Sequence, residues 1–197
     1  AAKAEFSGNI INGIYKFDET ICDDSVVAAE LHYTDENKGI HDLAESPITH
    51  PYEFGGAIIL TSTKAENVKL SGYDYLGQPI VDCVVNVSTA NVDTNTSFEQ
   101  FKYITKVEAT GDVEIRFRLQ SFYLPYKTSK ILALSLDGVD QTVSASTLTK
   151  PETTKNINGL KNSRGCIFVN STAGKHLSAI LVADNSLVTI DGEEVGG

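Results

Sequence analysis

Apolar and polar residues alternate with a period of two along most of this chain. In "DVEIRFRLQ" (112–120), Val113, Ile115, Phe117 and Leu119 fall on one side and Glu114, Arg116 and Arg118 on the other. That is the signature of a half-buried strand, whose successive side chains point to opposite faces. The same alternation passes through Val68 and Leu70 in "NVKLSGYD" (67–74), and through Val81, Cys83, Val85 and Val87 in "IVDCVVNVS" (80–88). Further strands are expected in "GGAIILTS" (55–62), "FKYITKVEA" (101–109), "KILALSLDG" (130–138), "RGCIFVNS" (164–171), "LSAILVAD" (177–184) and "SLVTIDG" (186–192). Gly, Asn and Asp punctuate the gaps, as in "TGD" (110–112), "LDGVD" (136–140) and "STAGK" (171–175), where turns tolerate positive φ. The best helical candidate is "DSVVAAELHY" (24–33), with Asp24 or Ser25 as its cap. Many short strands at short spacing predict an all-β fold, an antiparallel β-sandwich or barrel.

Composition then divides the chain. Residues 1–17, "AAKAEFSGNIINGIYKF", carry Phe6, Ile10, Ile11, Ile14, Tyr15 and Phe17. They read as an extended apolar N-terminal arm, too apolar to hang free, that docks on its own domain or on a neighbour. Deleting the arm is expected to abolish partner binding while the sandwich stays folded. Residues 18–53 form an acidic segment containing Asp18, Glu19, Asp23, Asp24, Glu30, Asp35, Glu36, Asp42, Glu45 and Glu53. Residues 54–197 make the β-sandwich core, with a subdivision possible near the polar stretch 144–159. The stretch 127–175 leans basic, with Lys127, Lys130, Lys150, Lys155, Lys161, Arg164 and Lys175. Such segregation suits ordinary solvated faces. It also suits a repeating assembly in which an acidic region of one copy meets a basic face of the next.

The 197 residues are enough to bury a core without a disulfide or metal staple. A net charge of −10 and a pI near 4.8 disfavour nucleic acid as a partner. No apolar run approaches the roughly 20 residues of a membrane-spanning helix, so no membrane association is expected. The chain starts Ala1–Ala2–Lys3 without a hydrophobic leader, which leads us to expect a protein made and retained, or assembled, in the cytoplasm. Cys22, Cys83 and Cys166 are odd in number and far apart, which predicts mostly buried free thiols.

Catalytic motifs are missing from the sequence. There is no GxSxG, HExxH, GxxxxGK[ST] or GxGxxG. "HDLAESPITH" (41–50) pairs His41 and His50 across nine positions broken by Pro47, a spacing that sets up no metal site, so both are expected in loops or at the surface. Pairs of carboxylates that converge only in space are invisible to sequence. The absence of Trp counts against a carbohydrate platform. Three Asn-x-Ser/Thr triplets, at Asn86, Asn95 and Asn170, read as surface β chemistry. No catalytic residue, metal or cofactor is assigned, and the chain is not expected to be an enzyme.

One stretch says more. "GYDYLGQPIVDCV" (72–84) places Asp74, Gly77 and Pro79 between two strand-like arms. Gly tolerates the φ of a tight turn, and Pro79 holds Gln78 extended at the start of the return strand. Residues 58–107 as a whole resemble a module of tailed-bacteriophage structural proteins. That module has an apolar strand, an "xVxVxGxDxxGxPxxExV" hairpin, a Thr/Asn-rich excursion and an "xxxFxxVxxI" strand. Here Val68, Leu70, Gly72 and Asp74 form the first arm, and Gly77 and Pro79 the turn. Val81 to Val87 form the return, "STANVDTNTS" the excursion, and Phe98, Phe101, Ile104 and Val107 the closing strand. Asp82 and Cys83 stand where the module more often has Thr or Glu.

The resemblance implies a structural virion protein, foremost a capsid decoration (cement) protein on the phage head surface. It would self-associate and grip the major capsid protein or other virion proteins. A neck, tail or head-fibre component is the alternative within that class, and a secreted binding module the alternative outside it. The interface is expected at the apolar arm residues and at the hairpin tip, Tyr73, Tyr75 and Leu76.

Overall fold

In the computed structural model the described residues are 10–11, 13–95, 99–144, 147–149, 156–157, 160–161, 165–183, 188–190 and 193–195. They contain no helix. In chain order the strands are β1 (Ile10–Ile11), β2 (Ile14–Thr20), β3 (Val27–Leu31), β4 (Ile40–Asp42), β5 (Ile48–Thr49), β6 (Ile58–Ser62) and β7 (Glu66–Tyr73). Next come β8 (Pro79–Val87), β9 (Thr94–Asn95), β10 (Tyr103–Glu108), β11 (Val113–Phe117), β12 (Ser121–Tyr123), β13 (Thr128–Leu136) and β14 (Val139–Asp140). The last are β15 (Leu148–Thr149), β16 (Asn156–Ile157), β17 (Leu160–Lys161), β18 (Cys166–Phe168), β19 (His176–Ala183), β20 (Val188–Ile190) and β21 (Glu193–Val195). The sheets are antiparallel and none closes into a barrel, so the fold is all-β and sandwich-like.

Contacts divide the chain into two compact units: a central unit, Asp24–Leu119, and a terminal unit built from Ala1–Asp23 and Gln120–Gly197. This differs from the division expected from composition. The boundary placed after residue 17 falls inside β2, and the span 54–197 is shared between both units.

The central unit has one sheet in the order β4-β10-β7-β8, with β5 also on β10, and a second in the order β3-β11-β6-β9. Its core follows from strand alternation. Val68, Leu70, Ile80, Cys83, Val85, Val87, Ile104 and Val107 of the first sheet are buried, as are Ile58, Leu60, Val113, Ile115 and Phe117 of the second. The segment expected to be helical holds β3 instead, whose Ala29 and Glu30 pair with Ile115 and Glu114 of β11. A strand edge supplied by β11 overrides the local capping signal.

Two irregularities set side-chain direction in β7 and β8. Asp82 has φ 50°, and the register shifts between Leu70 and Gly72. This bulge leaves both Val81 and Asp82 exposed and lets Ile80 and Cys83 both face the core. Val81 therefore does not share a face with Cys83, as the alternation suggested: the extra residue switches the parity. The Asp82 amide donates to Ser71 Oγ at 3.0 Å, so the bulge keeps a partner. Gly72 lies hard against β10, where an added Cβ would stand 1.8 Å from the Tyr103 carbonyl oxygen.

The terminal unit has a five-stranded sheet, β1-β2-β19-β13-β14, and a three-stranded sheet, β12-β18-β15. β2 pairs with β19 over seven positions, from Ile14↔Val182 to Thr20↔His176. Tyr15 and Phe17 are 2% and 3% exposed. Phe17 meets Phe122 edge-on at 6.0 Å, and Tyr15 meets Tyr126 at 5.1 Å. The Tyr15 hydroxyl is hydrogen-bonded to Thr128 Oγ1. The C-terminal part of the expected arm is thus an interior strand of a sheet.

Removing residues 1–17 is therefore expected to unfold the terminal unit rather than spare it. Deleting a buried aromatic costs about 3–5 kcal/mol, and two such losses are comparable with the whole stability of a domain. Far-ultraviolet circular dichroism and urea unfolding of the truncated chain check this. Among the glycines, Gly72→Ala is expected to cost about 3 kcal/mol or more, since backbone blocks the new methyl. Gly77→Ala, in open space at φ +80°, is expected to cost only about 1 kcal/mol from its conformation. Urea midpoints of the two variants measure the contrast.

Candidate functional site

The β7–β8 hairpin is held by its own turn. The Asp74 amide donates to the Gln78 carbonyl at 3.0 Å, and the Gly77 amide to the Asp74 carbonyl at 3.0 Å. Asp74 Oδ1 accepts from the amides of Leu76 and Gln78, each at 2.9 Å. Gly77 takes the positive φ that this turn requires. Pro79, the first residue of β8, sits opposite Tyr73. The side chain of Asp74 replaces water for two turn amides, which makes the tip rigid.

Of the expected tip residues, Tyr73 and Leu76 are 44% and 48% exposed. Tyr75 is half-buried and packs edge-on against Phe54 at 5.2 Å. The sequence missed the rest of the exposed surface. Tyr103 pairs directly with Tyr73 across β10 and β7, and Val81 and Val84 are exposed on β8. Tyr103 was legible only as part of a strand, because the partner that brings it beside Tyr73 is set by the register.

The arm residues are dispersed. Phe6 lies outside the described residues, and Ile10 and Ile11 form β1 with side chains that are not described. Tyr15 and Phe17 are core, which leaves Ile14 exposed.

Polar groups form smaller clusters. Thr20 Oγ1 lies 3.4 Å from His176 Nδ1, and His176 Nε2 lies 3.2 Å from Asp18 Oδ1. The residue types match a nucleophile, base and acid. The His176 side chain is 51% exposed, however, and the trio stands on an exposed sheet face as a solvated cross-strand ladder. A shallow depression of about 250 Å³ in the central unit is lined by Glu30, His32, Asp112 and Glu114, among others. There the Tyr33 amide and the His32 ring hold the Asp112 carboxyl below its usual range. A groove of about 350 Å³ in the terminal unit is lined by Leu134, Leu136, Gln141, Phe168 and Asn170, among others. Among the described residues no cluster of His, Cys, Asp and Glu is arranged to hold a metal ion. Cys83 and Cys166 are buried and Cys22 half-buried, all as free thiols.

His50 corrects a further expectation. It lies in the loop after β5, one of the two expected settings, but is fully buried rather than at the surface. Its ring packs 4.3 Å from Phe117 and 5.4 Å from Tyr52, and Nδ1 accepts from the Tyr52 amide at 3.1 Å. Nε2 is buried without a hydrogen-bond partner among the described residues. Lys102 Nζ clamps the carbonyls of His50 and Tyr52 at 2.9 and 2.8 Å. Burial, reinforced by the Lys102 charge, pushes the His50 pKa down from 6.5 to about 3.

No family model, curated protein or solved structure matches this chain.

Because the folded pKa of His50 lies below the unfolded one, its contribution to stability is complete above pH 6.5 and is lost as the pH falls towards 3. Between those limits this one ring is expected to lower stability by up to about 1.4 kcal/mol for each pH step of one. Urea unfolding across the range measures the fall. Imidazole NMR of the folded protein reads the group directly, and a His50 signal titrating near 6.5 would contradict its burial.

Proposed function

We propose that the chain is a structural protein of a tailed-phage virion, most specifically a decoration protein bound to the outside of the head. The observation that supports this best is the Glu66–Val87 hairpin. The residues that resemble the hairpin of the phage module form two antiparallel strands with a locked tip, the first of them also paired with β10, and Tyr73, Tyr103, Leu76 and Val81 are exposed on or beside it. A rigid surface with exposed apolar and tyrosine side chains suits packing against another protein, since pre-ordered groups lose little entropy when covered.

The mechanism is linkage. A protein that binds only the expanded capsid lattice stabilises it by its own binding free energy. Many modest contacts on one particle then act together. No bond is made or broken, and the proposed partner is the major capsid protein.

Quantitative mass spectrometry of virions carrying this chain tests the proposal. Abundance on the scale of the major capsid protein is expected. Abundance on the scale of the portal would move the protein to the neck or tail, and absence from purified particles would overturn the virion assignment.

A further inference from the structure

The outward face of the β2–β19–β13 sheet is unusually apolar for a solvated surface. The register of β13 shifts between Thr128 and Lys130 and again between Ile131 and Ala133. These two bulges leave Ser129 with Lys130, and Leu132 with Ala133, exposed in adjacent pairs. On β19, Ile180 stands opposite both Ala133 and Lys16, and Val182 opposite both Lys130 and Ile14. Ile14, Ile180 and Leu132 are 40%, 41% and 45% exposed. Neighbouring rungs bring these side chains within reach of one another. The result is an apolar patch bordered by Lys16 and Lys130. Asp18, two residues along β2 from Lys16, is engaged by Lys16 at 3.5 Å and by His176 at 3.2 Å.

The central unit carries a surface of matching character. β3 is the edge of its sheet, paired with β11. Val26, in the bend just before it, and Val27, its first residue, are 62% and 41% exposed, and Ala28 is exposed as well. Exposed apolar residues on a strand edge are a template for association. Glu30 is exposed and lies directly across from Glu114, which Arg116 Nε approaches at 3.5 Å. Residues 24–119 contain fifteen acidic against seven basic side chains, whereas the terminal unit contains eleven against nine. The central unit therefore carries most of the excess negative charge of the chain, and its apolar edge complements the lysine-bordered apolar face.

We propose that the β2–β19–β13 face of the terminal unit docks the β3 edge of the central unit of a second copy of this chain. The apolar patch supplies most of the affinity, while Lys16 and Lys130 against Glu30 and its acidic surroundings set orientation and salt dependence. Each copy offers one face and one edge, so the contact closes a two-fold dimer where both pairs engage reciprocally and propagates into a ring or an open chain where they do not. It requires no capsid, so its failure would leave the virion proposal standing.

Sedimentation velocity of the purified full chain over a concentration series tests this. The wild type is expected to self-associate at low salt and to dissociate as ionic strength rises from about 0.05 to 0.5 M, where charges are screened. Lys16→Glu with Lys130→Glu is expected to weaken association about tenfold or more, and Ala28→Lys with Glu30→Lys to do the same. Mixing the two variants restores association, because each reversed surface meets a reversed partner. Circular dichroism confirms that each variant is folded. Should a double variant not fold, Leu132→Glu reports on the same face from a solvent-facing bulge position. A wild type that stays monomeric throughout would overturn the proposal. So would association that ignores both charge reversals, or a mixture that fails to reassociate.

Discussion

A strand residue can face only two ways, and the two sheets of the central unit and the five-stranded sheet of the terminal unit bury alternate residues of their strands. That parity constraint governs the rest of the structure. Where it runs unbroken, as in β6 and β11, the core assembles from alternate residues without further instruction. Where the chain must bury residues of opposite parity, it inserts an extra residue. Asp82 does this in β8, and the two shifts of β13 do it in the terminal unit. Each of these bulges places two consecutive residues in solvent, and in that way Val81 and Leu132 become exposed apolar positions.

The strand pattern was largely legible. Val113, Ile115 and Phe117 face inward as alternation requires, and the Asp74–Gly77–Pro79 turn forms where its residue types place it. What was hidden depended on partners distant in sequence. β3 reads as a capped helix until β11 pairs with it. Val81 reads as core until the bulge at Asp82 turns it outward. The burial of His50 is hidden because its cage comes from Phe117, Tyr52 and Lys102, two of them more than fifty positions away. No local window contains those contacts.

The candidate surface was legible in the same measure. Tyr73 and Leu76 were visible because the turn that presents them is written in adjacent residues. Tyr103 and Val84 were not, since only register places them on that sheet. Of the two dockings open to the apolar arm, the described part takes the one on its own unit. Composition reports that a segment must be covered and is silent on what covers it. Tyr15 and Phe17 are covered by Tyr126 and Phe122 of their own unit.

The terminal unit joins residues from both ends of the chain through the seven-position pairing of β2 with β19. Its fold therefore depends on residues that composition would assign to a detachable tail. The Asp74 turn, by contrast, is stabilised within five residues and keeps its shape whatever covers it. A protein that works by being covered needs surfaces of this second kind, formed before the partner arrives, so that little ordering entropy opposes binding. In the central unit, the hairpin meets that requirement through its own hydrogen bonds and through the close backbone packing that Gly72 allows against β10.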